Sequence, residues 1–275
     1  MPELPEVQTV VNDLKAAGFE GAVITRADIF WPGTICGLSA ATFQRRIKGL
    51  KIAAIRRRGK FIVFDLASDG HLLIHLRMSG RLLVKTTGLP RLKHEHVVLN
   101  FTDRQLRFHD TRKFGRFYLV KDANPILGRL GPEPLDSSFR AAEFVDRLKN
   151  RSRLIKPLLL DQSFIAGLGN IYVDEALWDA HIHPQKIAAD LDAREAGSLY
   201  HSVRKVLRRG LKNMGTTLGS GQTNFFSIAG YTGRNRDQLK VFRRNGLACP
   251  RCRTVIKRIV VGQRSTHICE RCQTI

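Results

Sequence analysis

At 275 residues, with 43% hydrophobic and 8% aromatic residues, the chain can form two domains with separate cores and is too apolar for disorder. Forty-six Lys and Arg against 24 Asp and Glu leave a formal charge of +22, which points to a polyanionic partner, nucleic acid first. Anionic membrane is the competing partner, but no apolar run nears the ~18 residues of a membrane span, and no basic amphipathic helix stands apart.

The chain opens MPELPEV, without the apolar stretch of a secretory signal. Behind it Val7, Val10, Val11 and Leu14 form one apolar face, predicting a helix that ends near Gly18. Pro5 suits the first turn, where its missing N–H has no partner to lose. From 24 to about 120 the runs KIAAIRRRGKFIVFDL, HLLIHLRMSGRLLV, HVVLNF, QLRFHD and RFYLV are separated by Gly, Asp and Pro. Strands without intervening helices predict an antiparallel sandwich or barrel. LGPEPL at 130–135 reads as a linker.

Beyond the linker the pattern is helical. Val173, Ala176, Leu177 and Ala180 make one stripe; Leu199, Val203, Val206 and Leu211 make another, preceded by an Asp192-x-x-Glu195 capping box. A loop rich in Gly, Ser, Thr and Asn follows from 215 to about 235. Ahead of the first stripe, AGLGN puts Gly167, Gly169 and Asn170 at a helix start that could face a phosphate. An ordinary Asn cap after a tight turn explains the same residues.

Cys249-x-x-Cys252 and Cys269-x-x-Cys272, sixteen residues apart, have the spacing of a four-cysteine zinc site. Four thiolates leave no open position, so the predicted cofactor is one structural Zn2+; Cys36 stands alone. Residues 238–275 carry nine Lys and Arg against Glu270. A hairpin so charged suits a phosphate backbone, although zinc ribbons also bind proteins.

Several stretches, taken together, resemble the bacterial formamidopyrimidine-DNA glycosylase family over essentially the whole chain. They are MPELPEV, RRGKF at 57–61, HLRMSG at 75–80, KHEH at 93–96 and TRKFG at 111–115. LGPEPL, IKP at 155–157, GLGNIYVDEALW at 167–178 and GQR at 262–264 complete the set. Leu4 departs from the Pro-Glu-Gly-Pro-Glu start of the endonuclease VIII branch, which favours the oxidised-purine branch.

The resemblance implies an α+β protein: an N-terminal helix plus antiparallel β-sandwich catalytic domain over 1–131, a helical helix–two-turn–helix domain over 132–237, and a zinc-finger β-hairpin over 238–275. Damaged double-stranded DNA would bind in a basic cleft between the domains. A cytoplasmic monomer, nucleoid-associated through DNA and without membrane contact, is expected.

It also assigns residues. With Met1 removed, the Pro2 amine attacks the sugar and forms an iminium that has no N–H to lose. Glu3 is the general acid/base, and Glu6 orients the N-terminus. Lys60 and Arg264 contact phosphate and assist β,δ-elimination. His94, Arg112, Arg151, Lys156 and Asn170 contact DNA, with His75 as a further phosphate contact or a satisfied sheet histidine. Met78, Arg112 and Phe114 fill the void left by the flipped base, and the 215–235 loop caps the lesion. A catalytically silent zinc-ribbon DNA binder and an enzyme for oxidised pyrimidines are the competing readings.

Overall fold

A computed structural model describes residues 2–68, 70–219 and 225–275. The chain divides into two compact units: residues up to 129 with 213–236, and 130–212 with 237–275. The 213–236 segment, which the sequence places in the helical half, therefore clusters with the N-terminal unit.

The first unit starts with α1 (Leu4–Ala16), whose Val7, Val10, Val11 and Leu14 are all buried, as their spacing requires. The helix stops where Gly18 turns left-handed at φ 70°. Then come β1 (Arg26–Ile29), β2 (Ile35–Cys36) and α2 (Ala40–Ile47), followed by β3 (Ile52–Arg58), β4 (Phe61–Leu66) and β5 (Gly70–His75). β6 (Arg81–Thr86), β7 (Glu95–Asn100), β8 (Arg104–His109), β9 (Arg116–Val120) and α3 (Asn124–Leu127) complete it.

A four-stranded sheet runs β1-β7-β8-β6 and a five-stranded sheet β2-β9-β5-β4-β3. One core joins Leu82, Val97, Leu99, Leu106 and Phe108 of the first sheet to Ile62, Phe64, Leu72, Ile74 and Phe117 of the second. That is a sandwich, and Phe108 meets Phe117 across it with ring centroids 5.0 Å apart. Two details correct the sequence reading. The short β2–β9 pair is parallel, and α2 interrupts the strand region. Its physical cause is Phe43 and Ile47, buried one turn apart, behind a Ser39 cap that accepts the Thr42 N–H at 3.2 Å.

The second unit contains α4 (Ala141–Leu148), α5 (Ile155–Leu160), α6 (Asn170–Asp179) and α7 (Ala193–Lys212), then the hairpin β10 (Lys257–Val261) and β11 (Arg264–Ile268). The Asp192–Glu195 capping box forms reciprocally, at 2.7 and 3.0 Å. The 130–135 stretch is no slack tether. The Arg204 guanidinium donates to the carbonyls of Pro134 and Asp136, and a Cβ at Gly131 would sit 2.6 Å from the Phe164 backbone. No helix among the described residues is long and apolar enough to cross a membrane.

Candidate functional site

Pro2, Glu3 and Glu6 are buried at the start of α1, the two acidic residues at 2% and 1% exposure. Glu3 is the N-cap and Glu6 closes a capping box, its Oε2 accepting the Glu3 N–H at 2.9 Å. The other oxygen, Oε1, accepts the Thr216 N–H at 2.7 Å. Gly215, at φ 81°, makes that approach possible: a Cβ there would lie 2.9 Å from the Glu6 carboxylate. Glu6 therefore ties the start of the helix to the returning 213–216 segment. The 225–235 arm is anchored too, with the Ile228 N–H donating to Asp13 at 3.3 Å and Ile228 entering the core. Residues 220–224 of the expected lesion-capping loop lie outside the described residues.

Lys60 occupies the two-residue turn between β3 and β4, where Gly59 has φ 54°. A lysine at a hairpin tip is ordinarily solvated, yet this one is 5% exposed. Arg57 braces the turn, donating to the Gly59 carbonyl and to Gln8 of α1. His75, opposite Phe61 on β5, is also buried; its Nδ1 accepts the Arg77 N–H at 3.0 Å, so Nε2 carries the proton and can donate. Burial, aided by the positive charges of Arg77 and Lys60, pushes His75 from 6.5 down to about 3. Burial beside Arg81 likewise takes His109 to about 4.

Both folded-state values lie below the unfolded one, so in acid the unfolded chain binds more protons and stability falls as pH drops below 6.5 toward 4. The melting temperature should be lower at pH 5 than at pH 7, and the drop should shrink in His75→Gln. An unchanged drop in that variant contradicts the assignment.

The expected void-filling residues occupy two adjacent turns. Met78 is half-buried, whereas Arg112 and Phe114 are exposed, Phe114 at 45%. The Arg112 guanidinium lies 4.9 Å from the centre of the Phe114 ring. A phenylalanine that exposed is not a core residue. His94 is half-buried with φ 70°, its ring against those of His96 and His109.

In the second unit the geometry revises one assignment. Lys156 is fully buried, its Nζ at 2.5 Å from Asp174, 2.7 Å from Thr266 Oγ1 and 3.1 Å from the Ser265 carbonyl. All three ammonium protons have acceptors inside the protein, so Lys156 is not a direct phosphate contact. Asn170 is the first residue of α6, with Gly169 as its cap. Its Nδ2 donates to the same Ser265 carbonyl at 2.8 Å, while Oδ1 is buried without a hydrogen-bond partner. Both side chains hold the strand beside Arg264, which is exposed at the base of the β10–β11 turn. That turn, Gly262-Gln263, packs on α5: a Cβ at Gly262 would lie 2.7 Å from Pro157. Arg151 is exposed after α4.

The four Cys Sγ atoms lie within 4.8 Å of one another, Cys249 and Cys269 buried, the other two half-buried. Tetrahedral thiolates around a zinc ion would stand about 3.8 Å apart; the Cys249–Cys272 and Cys252–Cys269 separations are 4.0 and 3.3 Å. Burial and the neighbouring cysteines push the Cys272 thiol up to about 12, whereas hydrogen bonds from Thr254 bring Cys252 down to about 6. The donor set fits one tetrahedral ion and leaves it no open position. Arg251, counted among the finger's cations, instead stacks on Trp178 at 4.1 Å and donates to its carbonyl.

Residues 1–117 match the formamidopyrimidine-DNA glycosylase N-terminal domain, 130–221 its H2TH domain, and 246–275 the zinc finger found in FPG and IleRS. The chain is 49% identical over 274 residues to the formamidopyrimidine-DNA glycosylase of Protochlamydia amoebophila, covering 99% of both. It is 42% identical over 276 residues to that of Herpetosiphon aurantiacus, covering 99% of this chain and 100% of the relative. Two similar solved structures come from Lactococcus lactis. An Fpg mutant in complex with Fapy-dG-containing DNA has TM-score 0.93 and 35% identity, covering 100% of both chains. An Fpg complex with abasic-site DNA has TM-score 0.91 and 34% identity, covering 99% of this chain and 100% of that one.

Proposed function

The chain belongs to the formamidopyrimidine-DNA glycosylase family, and we propose that within it this protein excises oxidised purines, 8-oxoguanine and formamidopyrimidines, through a Pro2 Schiff base. It is a DNA glycosylase and lyase of base-excision repair, and its finger holds one structural zinc through Cys249, Cys252, Cys269 and Cys272. What supports the mechanistic reading is the start of α1: a proline whose nitrogen becomes a secondary amine once Met1 is removed, next to the 2%-exposed carboxyl group of Glu3, on a helix start held by Glu6 and Thr216.

In this mechanism the Pro2 nitrogen bonds to C1′ as the C1′–base bond breaks, and the departing base takes up the proton that the nitrogen loses. Glu3 then protonates the ring oxygen as the sugar opens. The resulting iminium cannot be neutralised by losing an N–H, so it stays an electron sink and acidifies the C2′ proton. Loss of that proton expels the 3′ phosphate, and a second elimination expels the 5′ phosphate. Lys60 and Arg264 neutralise phosphate as these bonds break, and His75 donates from Nε2. Met78, Arg112 and Phe114 occupy the space left by the extruded nucleotide. His94, Arg151 and Asn170 steady the backbone, with Lys156 acting behind Arg264. We further infer that the protein acts as a monomer in a nucleoid-associated state.

Leu4 supports the purine preference. Comparing strand cleavage of 8-oxoguanine:C and thymine-glycol duplexes tests it: faster cleavage of 8-oxoguanine is expected, and faster cleavage of thymine glycol contradicts it.

A further inference from the structure

We propose that Asp110 is a positioning residue that locks the Met78 turn and the 111–115 loop into a single wedge-bearing unit. The inference rests on the reading of Met78, Arg112 and Phe114 as void-filling residues, and adds what makes them move together.

Asp110 closes β8 and is completely buried. Its Oδ2 accepts the Gly115 N–H at 2.8 Å and its Oδ1 the Arg112 N–H at 3.2 Å, so the carboxylate closes the loop that carries Arg112 and Phe114. The same Oδ1 accepts the hydroxyl of Ser79 at 2.6 Å. Ser79 lies between Met78 and Gly80, on the other turn. The Asp110 backbone is fixed as well, its N–H donating to the His94 carbonyl at 3.0 Å and its carbonyl accepting from His96 Nε2 at 2.8 Å. Bonds to an ionised acceptor are about twice as strong as neutral ones, and here three converge on one group.

The second fastening is steric. A Cβ at Gly80 would lie 2.8 Å from the Phe108 ring, and one at Gly115 would also collide with that ring. Phe108 is 1% exposed and packed on Phe117, so it cannot yield. Both turns are therefore pressed onto one core ring and tied to one carboxylate. Neither can advance into a duplex, or withdraw, without the other. Filling a void from two loops requires that coordination, because a lone wedge would unstack a base without holding the gap.

Hydrogen exchange on the free protein reads the lock without DNA. Asp110→Asn keeps one acceptor oxygen and turns an NH2 group toward a backbone N–H. Amide exchange should accelerate in peptides covering 77–80 as well as those covering 111–115; acceleration confined to 111–115 overturns the proposal. Ser79→Ala cuts the hydrogen-bonded link between the turns and removes little packing. In that variant, single-turnover excision of 8-oxoguanine should fall about tenfold, and strand cleavage at a preformed abasic site less than about threefold, as loss of one charge-assisted bond allows. Ser79→Thr, which restores the hydroxyl, should recover excision. Equal falls in the two reactions, or no fall, overturn the proposal. If the unaltered enzyme cleaves neither substrate, the glycosylase reading fails, and hydrogen exchange still decides the lock.

Discussion

Stripping the zinc with a chelator, or replacing Cys249 with Ser, will unfold the finger and abolish tight DNA binding while the N-terminal unit stays folded. The reason is the size of the finger's core: Trp178, Val241, Cys249, Ile256 and Cys269, two of them metal ligands. A two-stranded hairpin of this size is marginal in water without further support. Structural zinc contributes an apparent ~10–16 kcal/mol in small fingers, far more than these few apolar side chains can. The sandwich has its own core and loses nothing when the ion leaves. Calorimetry should show one melting transition preserved and one lost. Anisotropy with labelled duplex should show a collapsed affinity and a shallower salt dependence, because Arg264 and its neighbours no longer meet phosphate together. Unchanged affinity after zinc loss contradicts this.

Lys156→Met will be nearly as damaging, and for a reason unrelated to phosphate. Removing one partner of a fully buried ion pair typically costs about 3–5 kcal/mol, because the other charge is left uncompensated. The stranded group is Asp174, which also accepts from the His267 N–H and ring at 3.0 Å. Losing Lys156 therefore loosens β11 from α6 and displaces Arg264. Removing both charges together, in Lys156→Met with Asp174→Leu, should recover much of the stability. The salt dependence of DNA binding separates this account from direct contact. A phosphate-contacting lysine contributes about one unit to the slope, whereas folded Lys156→Met should bind with the slope of the unaltered protein. A slope lower by about one restores the direct contact.

The parts of this architecture readable in advance are those governed by local rules. The apolar face of α1, the strand runs, the Asp192–Glu195 capping box and the cysteine spacing each involve residues near one another in sequence. Even α2 was legible: Ser39 followed by Phe43 and Ile47 is a capped amphipathic turn, obscured only by the strands around it. What sequence did not disclose depends on long-range closure. Nothing near Lys156 announces that Ser265 and Thr266, more than a hundred residues on, will occupy its protons. Glu6 gains its second role only when the chain returns at Thr216. Asp110 gains its link to the second turn only through Ser79, 31 residues away in sequence.

In this mechanism the residue after Met1 is the reagent. Intact-mass analysis should first find the purified protein lacking Met1. Borohydride reduction during cleavage of an 8-oxoguanine duplex, followed by digestion and peptide mapping, should then place the sugar adduct on the peptide beginning with Pro2. The adduct should vanish when a tag blocks the N-terminus. An adduct on Lys60, or trapping that survives a blocked N-terminus, would contradict the mechanism.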